Sequence, residues 1–170
     1  MPGSRVVLHE PDPSSTARFE AEAAALRRAL GPVALAIHHI GSTAVEGLVA
    51  KPIVDVLVVA LSAEALDGRR HALEALGFRW RGENGIAGRR YLDRPDGAAP
   101  LGRTAHVHAF AQGHFEIARH LRFRDALRAS PELRDAYGEL KRALARLHGN
   151  DGARYQEGKA AFIEAALRDG

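Results

Sequence analysis

The chain has 170 residues, 46% of them hydrophobic, and a net charge of +3, enough to bury one core of its own without a metal or disulfide staple. Cysteine is absent, which excludes disulfides and thiolate chemistry and agrees with a reducing compartment. No apolar run approaches the ~20 residues of a membrane span and the first residues lack a charged-then-apolar signal pattern, so a soluble, cytoplasmic protein is expected.

Asp12-Pro13 reads as an N-cap and first-turn pair. Phe19, Ala23, Leu26 and Leu30 then recur at helical spacing until Gly31-Pro32 stops the helix. Residues 33–40 form a first core strand, with His38 and His39 facing opposite sides near its end. One of these imidazoles is expected to be a hydrogen-bonded structural histidine and the other to lie near the following turn. In that turn Gly41 permits close backbone approach, and Ser42 or Thr43 can cap a short helix whose free N–H groups point outward. Such a turn can hold a phosphate.

The strand over 52–60 follows Lys51. Alternation puts Ile53, Asp55, Leu57 and Val59 on one face and Val54, Val56 and Val58 on the other. Asp55 is therefore an acid in an apolar strand. A buried unpaired carboxylate costs several kcal/mol or more, so this one must be paired, protonated or metal-bound. A structural pairing with an arginine and a metal or phosphate site both satisfy that requirement.

Ser62 is expected to cap a helix running to about Leu76 and ended by Gly77, followed by short strands at 78–80 and 89–92. Residues 81–88 and 93–102 read as loops, the second marked by Pro95, Asp96-Gly97 and Pro100. The strand over 104–110 puts Thr104, His106, His108 and Phe110 on one face. Two histidines at i and i+2 can converge on one metal or donate to phosphate oxygens, and Asp55 on a neighbouring strand would complete a two-histidine, one-carboxylate set.

The last sixty residues read as helices. Arg124 and Arg128 continue the apolar stripe of Ile117 and Leu121, with Asp125 beside them. Ser130-Pro131 opens a helix whose face is Leu133, Tyr137, Leu140, Leu144 and Leu147, bordered by Lys141. Lys159 interrupts the stripe of Tyr155, Phe162, Ile163 and Ala166 on the final helix. Between Arg69 and Arg128 there are twelve Arg and six Asp or Glu, against five basic and six acidic groups in residues 1–60. The arginine-rich part, Arg90 included, is read as able to face an anion. No interleaving of aromatics and basic residues points to a nucleic-acid platform.

The run His39-Ile40-Gly41-Ser42-Thr43-Ala44-Val45, then Gly47-Leu48, then Ala50-Lys51-Pro52-Ile53-Val54-Asp55 resembles the signature of the GrpB-like family, a branch of the nucleotidyltransferase fold. The resemblance continues through Thr104 to His108, Phe123-Arg124-Asp125, Leu127-Arg128, Pro131-Glu132, Tyr137, Leu140-Lys141 and Tyr155 to Lys159, and so covers nearly the whole chain. It implies a single-domain mixed α/β sheet flanked by helices, with a helical C-terminal segment. It also implies a Gly-Ser turn that takes nucleotide phosphates and two carboxylates, two residues apart, that hold divalent metal. Here Asp55 matches the first acid and Leu57 stands at the second. Glu46 stands where the family usually has proline. GrpB-like domains occur fused to dephospho-CoA kinases, which implies a nucleotide or CoA-related ligand.

Two readings are carried forward. One is an enzyme acting on a nucleotide or another phosphorylated or carboxylated small molecule. Its catalytic set would be Asp55, His106 and His108, which would also hold one divalent Mg, Mn or Zn ion. Its ligand- and phosphate-binding groups would be Gly41, Ser42, Thr43, Lys51, Arg90, Arg124, Arg128, Lys141 and Lys159. The other is a non-catalytic binding or accessory module that has lost the metal chemistry.

Overall fold

A computed structural model describes residues 5–169. Five strands, β1 (Ala34–Ile40), β2 (Val54–Ala60), β3 (Arg79–Trp80), β4 (Arg90–Pro95) and β5 (Arg103–Ala111), form one sheet in the order β1-β2-β5-β4-β3. Every neighbouring pair is antiparallel except β2 and β5, which run parallel. The three strands read from the sequence as core strands are therefore adjacent, with Asp55 opposite His106 and Leu57 opposite His108.

The alternation on β2 divides the molecule. Val54, Val56, Val58 and Ala60 face one side, where they join Ala105, Val107 and Ala109 of β5 and Leu92 of β4. That side is covered by α1 (Ser15–Leu30) through Phe19, Ala23, Leu26 and Leu30, and by α2 (Ala63–Asp67) and α3 (Arg70–Ala75) through Leu66 and Leu73. Each such side chain contributes about 1.5–3 kcal/mol by leaving water. The other side carries Asp55, His106 and His108 beside a smaller cluster of Ile40, Leu57 and Phe110, against which Ile117 and Leu121 of α4 (Phe115–Ala129) pack. Beyond α4, α5 (Pro131–His148) and α6 (Gly152–Arg168) complete a helical layer.

Several local expectations change. The helix expected over 62–76 is two short helices, because the backbone turns at Gly68-Arg69; Ser62 does cap the first, its hydroxyl accepting from the N–H of Ala65. α1 starts at Ser15, and Asp12 accepts from the N–H of Ser14 instead of heading the helix itself. β4 runs on to Pro95, so Asp93, read as the start of a loop, is a strand residue with no exposed surface. Leu147 stands at the end of α5 with 74% of its surface exposed, outside the apolar face assigned to it. Ser130 caps α5 through the N–H of Leu133, as the Ser-Pro pair suggests.

Candidate functional site

The site grows from one geometric fact. β2 and β5 are parallel and in register, so side chains on the same face of both strands lie side by side, and period 2 brings Asp55, His106 and His108 together. Nδ1 of His106 and Nε2 of His108 both lie 3.2 Å from the same oxygen, Oδ1 of Asp55. The three potential ligand atoms all lie within 4.8 Å of one another. Burial pushes the Asp55 carboxyl up, but the two imidazoles outweigh it and hold the group far below the ordinary carboxylate range.

Gly41 closes the other side of this carboxylate. Its φ of +72° is a conformation that favours glycine, and a Cβ there would stand 2.6 Å from Oδ2 of Asp55. The turn is thus shaped around the acid. On β4, Tyr91 lies opposite His108, its ring centroid 5.4 Å from that of His108 and 5.6 Å from that of His106. Arg89 is buried over the Tyr91 ring, donates to the carbonyls of Glu83 and Asn84, and brings Nη1 to 3.5 Å from Nδ1 of His108. A guanidinium only donates, so it favours the His108 tautomer whose proton sits on Nε2, toward Asp55.

The lysines occupy the helical side. Lys141 is buried and donates to Ser42 Oγ at 2.6 Å and to the carbonyl of Val49 at 2.5 Å, stapling the two ends of the turn. Burial, then the charge of Lys159, pushes its pKa down to about 7. Lys159 and Lys51 lie over the ring of Tyr155, at 4.7 Å and 5.0 Å from its centroid. Among the described residues neither has a carboxylate within ion-pair distance. Burial, then Lys51, pushes Lys159 down to about 8, and burial also lowers Lys51. Asp55 is the acid that opposes all three shifts. Tyr155 is fully buried, and its hydroxyl has no hydrogen-bond partner among the described residues.

The remaining anion candidates disperse. Thr43 lies 2.9 Å from Nε2 of His39, a buried ring stacked on Phe19 and pushed down to about 4 by burial. His39 is therefore the structural member of the histidine pair. Arg124 pairs with Asp125 and donates to the carbonyl of His39, and Arg128 donates to that of Ala44. Thr43, Lys51 and Arg128 also line a groove of about 890 Å³ between the N-terminal segment and the turn. Arg90 leaves the group altogether: its guanidinium is engaged with Asp67 at the end of α2. Glu46 is exposed on the groove and is not part of the Asp55 cluster.

Sequence reasoning missed Tyr91, Arg89 and Asp93. The alternation Tyr91-Leu92-Asp93, polar and apolar by turns, was the available signal, and Pro95 with Asp96-Gly97 masked it. It also did not foresee that Lys141 spends its protons on the protein itself.

A mixed sheet in which a Gly-Ser turn feeds an acid-bearing strand, flanked by helices and followed by C-terminal ones, defines a nucleotidyltransferase-like α/β fold. A solved structure of the Cid1 poly(U) polymerase with MgGTP bound overlays 81% of this chain with a TM-score of 0.55, at 15% identity and over 44% of the Cid1 chain. The chain belongs to the GrpB family, whose model, described as GrpB protein, matches residues 5–169. The crystal structure of the conserved protein GrpB from Enterococcus faecalis is 39% identical and covers 96% of both chains with a TM-score of 0.87. UPF0157 protein YqkA of Bacillus subtilis is 43% identical over 148 residues, 87% of this chain and 42% of that one. UPF0157 protein PA4798 of Pseudomonas aeruginosa is 39% identical over 96% of this chain and 66% of its own. The chain thus spans less than half of the length of the Bacillus relative. No helix among the described residues is long and apolar enough to cross a membrane.

Proposed function

We propose that this chain binds and acts on a nucleotide-like or other phosphorylated small molecule between the Gly41-Ser42 turn, the Asp55 face of the sheet and helices α5 and α6. The observation that carries the reading is the convergence of Asp55, His106 and His108 on one point. Two imidazoles and one carboxylate suit a single Zn²⁺ or Mn²⁺ with open positions for a ligand. The cradle left by Gly41 at the free oxygen of Asp55 supports the same reading. A two-metal site does not fit, because Leu57 is fully buried where a second acid would stand. Bound to these three residues, one cation would neutralise phosphoryl charge and orient an attacking oxygen.

The protein's own groups divide the rest of the work. Lys141 fixes the turn, and because Ser42 Oγ accepts from it, the serine proton is left to donate outward. Lys51 and Lys159 supply positive charge that no carboxylate among the described residues meets at ion-pair distance. Tyr91 packs against both imidazoles and holds their planes. The buried Leu57 also favours a second reading, a binding module without turnover, for which the fusions of GrpB-like domains to dephospho-CoA kinases suggest a CoA-related ligand.

The test is thermal unfolding and calorimetry with Mn²⁺, Zn²⁺ and Mg²⁺, alone and with nucleotides and CoA precursors, in wild type and Asp55→Ala. A ligand that binds only the folded state raises its midpoint by mass action. Wild type should respond to a divalent ion and Asp55→Ala should not. No response to any ion in either protein defeats the metal reading, and metal-dependent nucleotide binding without phosphorus-NMR evidence of turnover selects the binding module.

A further inference from the structure

One strand beyond His106 the same face of the sheet carries a second concentration of charge. Asp93 is the cross-strand partner of His106 and is completely buried. Three arginines surround it, from β3, from the segment after β3 and from β5. They are not equivalent. Arg79 grips both carboxylate oxygens, at 2.9 and 2.7 Å, and by itself gives Asp93 a bidentate partner. Arg81 and Arg103 approach the same carboxylate only to 3.6 and 3.7 Å, within ion-pair reach but beyond hydrogen bonding.

Among the described residues neither of these two side chains makes a hydrogen bond, and Nε of Arg103 is buried without a partner. Each guanidinium presents five N–H donors in a planar fork. Three cations on one carboxylate also leave two positive charges uncancelled, at 45% and 30% side-chain exposure for Arg81 and Arg103. Arg103 further lowers the pKa of Lys51, so the two sites share one electrostatic field. Arg79 alone supplies the hydrogen bonds to Asp93, and the attraction of Arg81 and Arg103 to the same carboxylate is opposed by their mutual repulsion, which an anion seated between them would relieve.

We propose that Arg81 and Arg103 form a phosphate-binding shelf beside the Asp55 centre, with the Arg79–Asp93 pair as its fixed base. A phosphate dianion matches both the charge and the forked geometry, since each guanidinium can donate two parallel hydrogen bonds to it. The shelf lies on the face that carries the catalytic candidates, so a phosphorylated ligand seated there reaches toward His106. It binds phosphate without Asp55 and stands whether or not the metal reading does.

The experiment follows the arginine Nε–Hε resonances of the whole chain during titration with inorganic phosphate, with chloride at equal ionic strength as control. The resonances of Arg81 and Arg103 should shift saturably with phosphate alone, in wild type, Asp55→Asn and Lys159→Met alike. Arg81→Gln and Arg103→Gln should each weaken phosphate binding about tenfold or more, the loss of charge-assisted hydrogen bonds. Both should leave the thermal midpoint in place, because Arg79 still holds Asp93. If either glutamine variant does not fold, Arg81→Lys, which keeps the charge and loses the fork, makes the same comparison. The proposal is overturned if the resonances ignore phosphate or follow chloride equally. It is also overturned if the response vanishes in Asp55→Asn, or if the glutamine variants lower the midpoint and bind phosphate as wild type does.

Discussion

Replacing Lys159 by methionine removes a half-buried ammonium while keeping an unbranched side chain over Tyr155. In the folded protein the lysine pKa falls from 10.5 to about 8, which corresponds to roughly 3 kcal/mol against the charged form at about 1.4 kcal/mol for each pH unit. The attraction to the Tyr155 ring, about 0.5–2 kcal/mol, is lost in the variant, so the net gain should be about 1–3 kcal/mol near neutral pH. The sign with pH follows from the lowered folded value. Below about pH 8 folded and unfolded chains both carry the proton and the full cost is present. Between 8 and 10.5 the folded protein releases its proton first, and the cost fades. Urea unfolding of both proteins from pH 6.5 to pH 9.5 should therefore show Lys159→Met more stable by a constant amount up to about pH 8, with the advantage shrinking above it. A variant less stable than wild type by 1 kcal/mol or more, or a gain that ignores pH, would refute the view that Lys159 is an uncompensated cation waiting for an anion.

Lys141→Met should behave differently, because it leaves Ser42 and the carbonyl of Val49 without their donor; amide exchange across residues 42–49 should accelerate about tenfold or more, and unchanged exchange would show that the staple is not needed. Gly41→Ala combines a positive φ with a Cβ driven into Asp55, so denaturant unfolding should show a loss of about 1–3 kcal/mol and any divalent-ion rise in midpoint should disappear. Arg79→Ala removes the bidentate partner of buried Asp93 while Arg81 and Arg103 stay within ion-pair reach, so it should cost about 1.5–3 kcal/mol at neutral pH, the loss of charge-assisted hydrogen bonds. Burial raises the Asp93 pKa but its arginines hold it below the ordinary value of 3.8. That contribution is therefore present above 3.8 and is lost as the carboxylate protonates, so the deficit should close in acid; a deficit that persists there would contradict it.

The strands and the faces of the sheet were legible because a period of two is written directly into residues 53–60 and 104–110. Asp55, His106 and His108 could be joined on paper for that reason alone: each is the polar exception on an apolar strand, and parallel neighbours in register must bring such exceptions together. What alternation cannot express is where long side chains end. Arg90 and Arg124 were both read as facing an anion, yet one reaches back to Asp67 and the other to its own neighbour Asp125. Lys141 looked like a border residue because wheel geometry knows the direction of Cβ and not that the 42–49 turn passes within reach of its ammonium. Asp93 was hidden by turn residues that begin only two positions later, and its arginine partners lie 10 to 14 residues away, a relation set by strand pairing and by no local pattern.

The central place of β5 also decides how the molecule can be assembled. Until residues 103–111 arrive, β1 with β2 and β3 with β4 are two separate antiparallel pairs, the inner edges of β2 and β4 both unpaired, and no other strand among the described residues joins them into one sheet. β5 closes both edges at once and is the last strand to be made, so on the ribosome the two halves wait with their backbone groups exposed. Its parallel bond to β2 spans 51 residues from Asp55 to His106, a slow, non-local closure. The chemistry and the topology therefore share one moment: the Asp55 cluster comes into being in the same step that seals the sheet.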